Sequence, residues 1–543
     1  MFGVSDDFRT VADAFDATAR RRPANECVRI PRRPERNNHP DGLSLTYAQV
    51  GGIADELRAR YRAAGYGHGH RVAISLENRP EFFFHWLALN GLGVSVAPVN
   101  PDFQPHEIHF MLERSEAVLA VTLTGRVKGF AEAISRLPRR IPVVTLEDFD
   151  RPLPRAVAPA LETPPGRRTE SGLLFTSGTT GLPKGCMLDN EAFFFNGSRY
   201  IAAGGVMTIE HGRDRLYNPL PVYYANAFAI TNVAMILAAG CMIFPDRFHP
   251  RSYWREIAET DPTIVHHLGI IPPLLLKQEP CAEERAHRIK FSGGGGVDPE
   301  QHAQLEDRFG MPFVEFYGMS ELGICGATNI EPRKIDTRAC GKPWPGVEYR
   351  LVDEHDRDVP VGELGQVLVQ RTGTDPKLGL CNGYLKDPET TEAAWRGGWF
   401  HTGDILRRDE EGMYYFVDRI KHMIRRSGQN MAAAEIEAVL RLHPAVQEVA
   451  VLPCPDEMRQ EEVLACVVPA AGHASDRATA DSIMDWSLTQ LAYFKAPGWL
   501  LFMDKLPTTS SQKLQKSSIF AKDEDPRARP GIIDLRERKK RQG

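Results

Sequence analysis

The sequence predicts an α/β protein. A large N-terminal domain with mixed and parallel sheets and crossover helices should be followed by a smaller α+β domain. Three observations predict this. The chain has 543 residues, beyond the size at which a single hydrophobic core keeps growing. Its first part alternates helical runs with short apolar strands. After Gly341 the texture changes to short strands separated by Gly and Asp turns.

Residues 47–64 show helical spacing, 71–76 (RVAISL) read as a short buried strand, 81–92 return to helix and 93–98 (GVSVAP) to strand. That is a βαβ unit, which requires a parallel sheet. Residues 261–268 and 288–292 continue the series, and the Pro- and Arg-rich 151–168 reads as a surface linker. The most apolar stretch, 225–244, is interrupted by Asn226, Thr231, Asn232 and Gly240. It reads as a buried helix leading into a strand, because a membrane span needs about 20 nearly uninterrupted apolar residues. VEYRLVDE, GQVLVQ and MYYFVDR follow as strands. A smaller unit then reads helix AAAEIEAVLRLH, strands EVAVLP and VLACVVPA, and helix ADSIMDWSLTQLA.

Composition is that of an ordinary soluble globular protein, with 42% hydrophobic and 25% charged residues and a net charge of −5. It excludes collagen-like sequence, wholesale disorder and a polytopic membrane protein, and nothing global pulls the chain toward nucleic acid or an anionic membrane. Nine cysteines are scattered without a CxxC, so a reducing compartment, the cytoplasm, is expected. The N-terminus has neither the basic nor the apolar region of a signal peptide. The C-terminal RERKKRQ run reads as part of a solvated, mobile tail in preference to a nucleic-acid arm.

The most informative segment is LLFTSGTTGLPKGCML, residues 173–188. An apolar strand runs into Thr176, Ser177, Gly178, Thr179, Thr180 and Gly181, with Lys184 close behind. Glycines admit backbone N–H groups to a phosphate, hydroxyls add donors, and Lys184 adds charge, so the chemistry is that of an anion cradle. It is not a Walker A loop, since Pro183 stands where that motif needs its second glycine.

TSGTTGLPKG resembles the signature loop of the adenylate-forming superfamily, which holds acyl-CoA ligases, peptide-synthetase adenylation domains and luciferases. Further stretches resemble the motifs of that superfamily in their expected order: FYGMSE at 316–321, GKPWPG at 341–346, WFHTGD at 399–404, the lid opening around 417–437, and LPTT at 506–509 with Lys513. The lid sequence is similar to stand-alone ligases of the carnitine/crotonobetaine type. The resemblance implies an N-terminal AMP-binding domain at 1–420, a mobile C-terminal lid domain at 421–524 and a charged tail at 525–543. It implies an acid–thiol ligase that uses ATP, Mg²⁺ and coenzyme A, and that makes an acyl-AMP from a carboxylic acid before thioester formation.

The same resemblance assigns roles. Residues 176–184 would hold the β- and γ-phosphates, and Glu321 would ligate Mg²⁺. Tyr317 would stack on adenine, Ser320 would bond the α-phosphate, and Gly294, Gly295 and Gly296 would let the backbone pass close to the nucleotide. Asp404 and Arg419 would hold the ribose. Lys513 would bridge the acyl carboxylate and the α-phosphate. Lys421 would be the hinge, and Ser427 and Gly428 would line the pantetheine tunnel. Tyr223, Tyr224, Phe228, Gly293 and Gly318 would form the acyl pocket, suited to an apolar acid of fatty, aromatic or polycyclic type. A monomer and a homodimer are both compatible.

Two positions depart from the pattern. Tyr224 stands where the superfamily often has a histidine that gates the acyl pocket. Gln512 stands where glycine usually precedes the lysine, and the backbone that glycine allows can cost glutamine about 1–3 kcal/mol. Displacement of Lys513 by about 1 Å could cost on the order of 10²-fold in rate. One reading is therefore a weakened or lost adenylation half, with a separate adenylating enzyme supplying pre-formed acyl-AMP. The other is that glutamine adopts the same backbone and both halves run. Two neighbouring readings are transfer of the acyl group to a carrier protein or amine, and a non-catalytic acyl-AMP-binding protein.

Overall fold

The computed structural model describes residues 7–176, 183–426, 429–457, 459–508, 514–521 and 524–539. The chain divides into two compact bodies. The first takes Met1–Tyr349, Val369–His401 and Gly412–Tyr414, and the second takes Arg350–Leu368, Thr402–Glu411 and Tyr415–Gly543. Segments upstream of the expected boundary at 420 thus belong to the second body.

In the first body one sheet runs in the order Val143–Thr145, Leu119–Thr122, Arg71–Ile74, Ser95–Pro98, Glu170–Thr176, Lys184–Asp189. All neighbours are parallel except the last pair. The expected βαβ unit lies at its centre. Helix Tyr47–Ala63 begins at Thr46, whose hydroxyl accepts from the Gln49 N–H while Gln49 answers the Thr46 N–H. Helix Pro80–Asn90 begins on a proline whose missing N–H costs nothing there; it is buried all round, as a crossover helix between layers must be.

The second sheet of this body places Glu26–Ile30, Cys241–Ile243, Arg215–Tyr217, Ile264–His266, Phe291–Gly294 and Phe313–Met319 side by side, all parallel. Antiparallel strands Gly323–Ala327 and Ala339–Pro343 extend it. Ligands of open parallel sheets bind at the carboxyl ends of the strands, and the expected glycine run 293–296 lies at one such end. The apolar stretch at 225–244 is a buried helix followed by strand Cys241–Ile243, as expected, but its first turns, Asn226–Thr231, are π-helical. Among the described residues no helix is long and apolar enough to cross a membrane.

The second body centres on the antiparallel pair Val446–Asp456 and Gln460–Pro469, flanked by Trp499–Phe502 and the hairpin Met423–Arg426/Gln429–Ala432. Helices Ala433–Arg441 and Arg477–Gln490 cover it through Ile436, Leu440, Ile483 and Met484. The expectation of a mobile tail does not hold for residues 524–539. Ile533–Asp534 adds a strand to Trp499–Phe502, and Leu535 is fully buried. Arg536 lies over the Trp499 ring at 4.2 Å and pairs with Asp456 at 3.1 Å, and Arg538 pairs with Asp481 at 2.8 Å. Arg536, Arg538 and Lys539 are thus paired with acids of their own body.

Candidate active site

The first body carries both flanks of the signature loop. Strands Glu170–Thr176 and Lys184–Asp189 pair with Thr176 opposite Lys184, so the signature loop joins the two arms of a hairpin. Ser177, Gly178, Thr179 and Thr180 lie outside the described residues. Glu321 sits in the turn between Phe313–Met319 and Gly323–Ala327 and is 8% exposed. Its Oε1 accepts from Thr176 Oγ1 at 3.3 Å and from the Tyr384 hydroxyl at 3.0 Å. Lys184 Nζ stands 5.5 Å from the centroid of the Tyr384 ring.

The turn that carries Glu321 is held from both sides. Its own carbonyl accepts from the Cys381 N–H at 2.8 Å. The next carbonyl, of Leu322, accepts from Arg199 Nη2 at 2.6 Å, with the buried Arg199 guanidinium stacked on Phe195 at 4.1 Å. The tight hairpin needs glycine at Gly323, where φ is +66° and a Cβ would lie 1.9 Å from Asn196 Oδ1. A Cβ on Gly318 would lie 2.2 Å from the Gly323 carbonyl oxygen, so turn closure already accounts for this glycine, which the sequence reading placed in the acyl pocket.

Tyr384 is a site residue that the sequence reading missed. Burial first, and then the neighbouring Glu321 charge, hold its phenol well above the ordinary tyrosine range, so it stays a donor to the carboxylate. Its backbone N–H is anchored on Thr391 Oγ1 at 2.9 Å, in a helix capped by Asp387. The one available signal was that cap, an Asp-Pro-Glu helix start three residues beyond Gly-Tyr. Tyr384→Phe removes a hydrogen bond to a charged group, generally worth about 1.5–3 kcal/mol. Adenylate formation, read by pyrophosphate release, is expected to fall by about 10–100-fold with the thermal midpoint little changed; unchanged release would show that the phenol does not position Glu321.

At the strand ends, Gly293 pairs with His266 and Gly294 with Glu315. A Cβ on Gly293 would enter the Phe316 ring at 2.3 Å, and one on Gly294 would meet the His267 carbonyl oxygen at 2.2 Å. Gly296 has φ +91°, and its N–H donates to Glu315 Oε2 at 2.8 Å. Gly295 bridges these two regimes. Tyr317 is nearly buried with its ring edge-on to Tyr349 at 5.9 Å, and Ser320 is half-buried at the head of the Glu321 turn. Tyr223 and Tyr224 pack edge to face at 5.0 Å and are partly exposed. Phe228 corrects the sequence reading. It is fully buried and packs edge-on against Phe82, Trp86 and Phe193 at 5.1–5.4 Å. Its ring is core and forms no wall of an acyl pocket.

The second body carries the residues expected at the ribose. Asp404 is 3% exposed, and Arg419 Nε lies 3.0 Å from its Oδ1. The Asp404 N–H donates to Thr402 Oγ1 at 3.1 Å, which fixes the strand where the carboxylate emerges. Lys421 lies in the short turn Ile420–His422; its side chain, with Ser427, Gly428 and Lys513, lies outside the described residues.

The hairpin at Thr176 and Lys184, the Glu321 carboxylate beside it and the glycine-lined strand end lie together in the first body. The sequence matches the AMP-binding enzyme family over residues 15–385 and the AMP-binding enzyme C-terminal domain over 435–513. The chain belongs to that family, as the motif resemblance implied. It is 29% identical over 524 residues to a sulfoacetate–CoA ligase of Cupriavidus necator, a match that covers 94% of this chain and 99% of that one. It is 28% identical over 492 residues to a crotonobetaine/carnitine–CoA ligase of Citrobacter koseri, covering 88% and 93%. Two solved structures share the fold. ATP-bound MatB from Rhodopseudomonas palustris gives a TM-score of 0.78 at 24% identity, over 94% of this chain and 98% of that one. The o-succinylbenzoate CoA synthetase of Bacillus subtilis with its acyl-adenylate gives 0.79 at 22% identity over the same shares.

Proposed function

We propose that this enzyme is a carboxylic acid–CoA ligase working in two halves. In the first, the acid's carboxylate attacks the α-phosphorus of ATP, giving acyl-AMP and pyrophosphate. In the second, the CoA thiol attacks the acyl carbonyl and AMP leaves. The observation that carries this reading is the carboxylate of Glu321 held by Thr176 and Tyr384 at the mouth of the signature hairpin, in a chain matched nearly end to end by CoA ligases.

Both halves develop or move negative charge, which preorganised donors and cations stabilise. Thr176, the loop after it and Lys184 would hold the β- and γ-phosphates. Ser320 would donate to the α-phosphate, Tyr317 would cover adenine, and Asp404 with Arg419 would take the ribose hydroxyls. Lys513 would bridge the two reacting groups in the first half. Lys421 would be the hinge, and Ser427 and Gly428 would meet pantetheine. One carboxylate flanked by hydroxyl oxygens is a donor set that fits Mg²⁺, which takes one or two protein oxygens and completes its shell from phosphates and water. Among the described residues no cluster of three His, Cys, Asp or Glu could hold a metal. When bound, Mg²⁺ would neutralise charge on the phosphates; Glu321 and Thr176 are the residues that would hold it. The cysteines, all free, support placement in a reducing compartment such as the cytoplasm.

Gln512 supports a finer reading in which the adenylation half is slow and thioester formation from supplied acyl-AMP is retained. Gln512→Gly tests it: adenylation should rise in that variant, and no rise sinks the idea. CoA dependence tests the broader proposal. AMP release from acid and ATP should depend on CoA and yield a thioester; release driven instead by an amine or a carrier protein would contradict it.

A further inference from the structure

Asn226 opens the π-helical turn Asn226–Thr231, three residues past Tyr223. Its carboxamide is held by hydrogen bonds whose direction can be read from one fixed end. The Leu220 backbone N–H donates to Asn218 Oδ1 at 3.0 Å, so the other arm of that amide is its NH₂. Asn218 Nδ2 donates to Asn226 Oδ1 at 2.9 Å and to Thr231 Oγ1 at 3.1 Å. Asn226 Oδ1 is therefore an acceptor. His266 Nδ1 lies 2.9 Å from the same oxygen and must carry its ring's proton. His266 is wholly buried, and burial, with His267 adding to it, pushes the ring down to about 3, so it is neutral. Its Nε2 then accepts from the Tyr200 hydroxyl at 2.7 Å. With donors converging on Oδ1 from two sides, the carboxamide cannot flip without setting donor against donor.

This chain leaves one group over. The Asn226 NH₂ has no hydrogen-bond partner among the described residues, and the residue is partly exposed. It stands where the strands Arg215–Tyr217, Ile264–His266 and Phe291–Gly294 end: its partner His266 pairs with Gly293 and lies 5.6 Å from the Phe316 ring. The Phe316 ring lies against Gly293, and the Phe228 ring is taken up in the core.

We propose that Asn226 is a specificity-determining residue of the acyl site, and that the acid this enzyme activates carries a hydrogen-bond-accepting oxygen on its acyl chain. The inference rests on the reading that the segment around Tyr223 and Tyr224 borders the acyl group, and it revises the expectation of a plain apolar acid. A hydrocarbon chain would cover the NH₂ with nothing to accept from it, whereas an acid carrying a keto, hydroxyl or carboxylate oxygen would satisfy a donor already oriented. Sites built to hydrogen-bond a substrate group reject analogues that lack it.

The test uses non-reacting acyl-adenylate mimics, acyl-sulfamoyl adenosines, in pairs of equal chain length. One member of each pair is a plain alkanoyl and the other an oxo-alkanoyl, over a short series of lengths. Calorimetry gives the affinities, so neither CoA nor turnover enters. The best oxo member is expected to bind at least about 10-fold tighter than its alkanoyl partner. Asn226→Asp keeps both accepting roles of the side chain and removes the donor; it should abolish the preference. Asn226→Leu should reverse it. Equal or tighter binding of every alkanoyl member to the wild-type protein overturns this inference alone, as does a preference that survives both substitutions. Failure of both members of every pair to bind the wild-type protein overturns the adenylate-site reading along with it.

Discussion

Glu321→Gln is expected to lower acyl-adenylate formation by roughly 10²–10³-fold, the usual cost of removing one preorganised electrostatic partner from a charge-developing step. The amide preserves the shape of the side chain, and its oxygen can still accept from Thr176 and Tyr384, so the turn and the fold should be kept. What is lost is the negative charge that suits a divalent cation beside the phosphates. Thioester formation from supplied acyl-AMP involves no pyrophosphate and should fall less than about 10-fold, a cost of under about 1.4 kcal/mol. The check is pyrophosphate release and thioester yield measured separately on the same preparation. Equal losses in both halves would mean that Glu321 holds the site together and has no special role in the first half. Unchanged pyrophosphate release would remove it from the chemistry altogether.

Glu462→Gln is expected to destabilise the second body by about 3–5 kcal/mol, the cost of leaving buried charge without its partner. Glu462 is wholly buried between two cations: Arg426 Nε lies 2.9 Å from one oxygen and Lys539 Nζ 2.5 Å from the other. Two positive groups share one counter-charge. Lys539→Met removes the surplus cation and leaves a neutral Arg–Glu pair, so alone it should cost only about 1 kcal/mol, for the donor lost to the Phe494 carbonyl. Placed on the Glu462→Gln background it should recover part of the loss. Burial pushes Lys539 down to about 8, while the unfolded chain keeps that proton to the ordinary lysine value of about 10.4. Between these values the unfolded state binds more protons, so stability should rise with pH across that window. Lys539→Met should flatten the rise. Denaturant titrations of the variants at several pH values check each point; a neutral Glu462→Gln would contradict the buried cluster, and a rise that persists without Lys539 would assign it to another group.

The parts of this molecule fixed by local pattern were legible in the sequence. The βαβ unit showed in the switch between strand and helical spacing, and the signature loop, FYGMSE and WFHTGD each bring their chemistry within a few consecutive residues. The contacts that sequence reading missed join residues far apart in the chain. Tyr384 reaches Glu321 across 63 positions, and nothing about a lone tyrosine announces such a partner. The tail read as solvated because Arg536, Arg538 and Lys539 meet acids 53–80 positions away. Phe228 was placed in the acyl pocket from its neighbours in sequence; the π-helical start of its helix departs from the 3.6-residue spacing by which faces are read. Asn226 reads as a mere interruption of an apolar run until His266 and Asn218 are seen around it.

The most direct test of the central claim is a paired assay read by mass spectrometry. One arm supplies a panel of carboxylic acids, oxygenated and plain, with ATP, Mg²⁺ and CoA. The other supplies the matching pre-formed acyl-adenylates with CoA alone. A two-step CoA ligase predicts the same acyl-CoA in both arms, with the oxygenated acids ahead; thioester from the adenylates alone would mean that the first half is lost and that acyl-AMP must be supplied. Adenylates consumed without thioester in either arm would contradict the assignment to CoA.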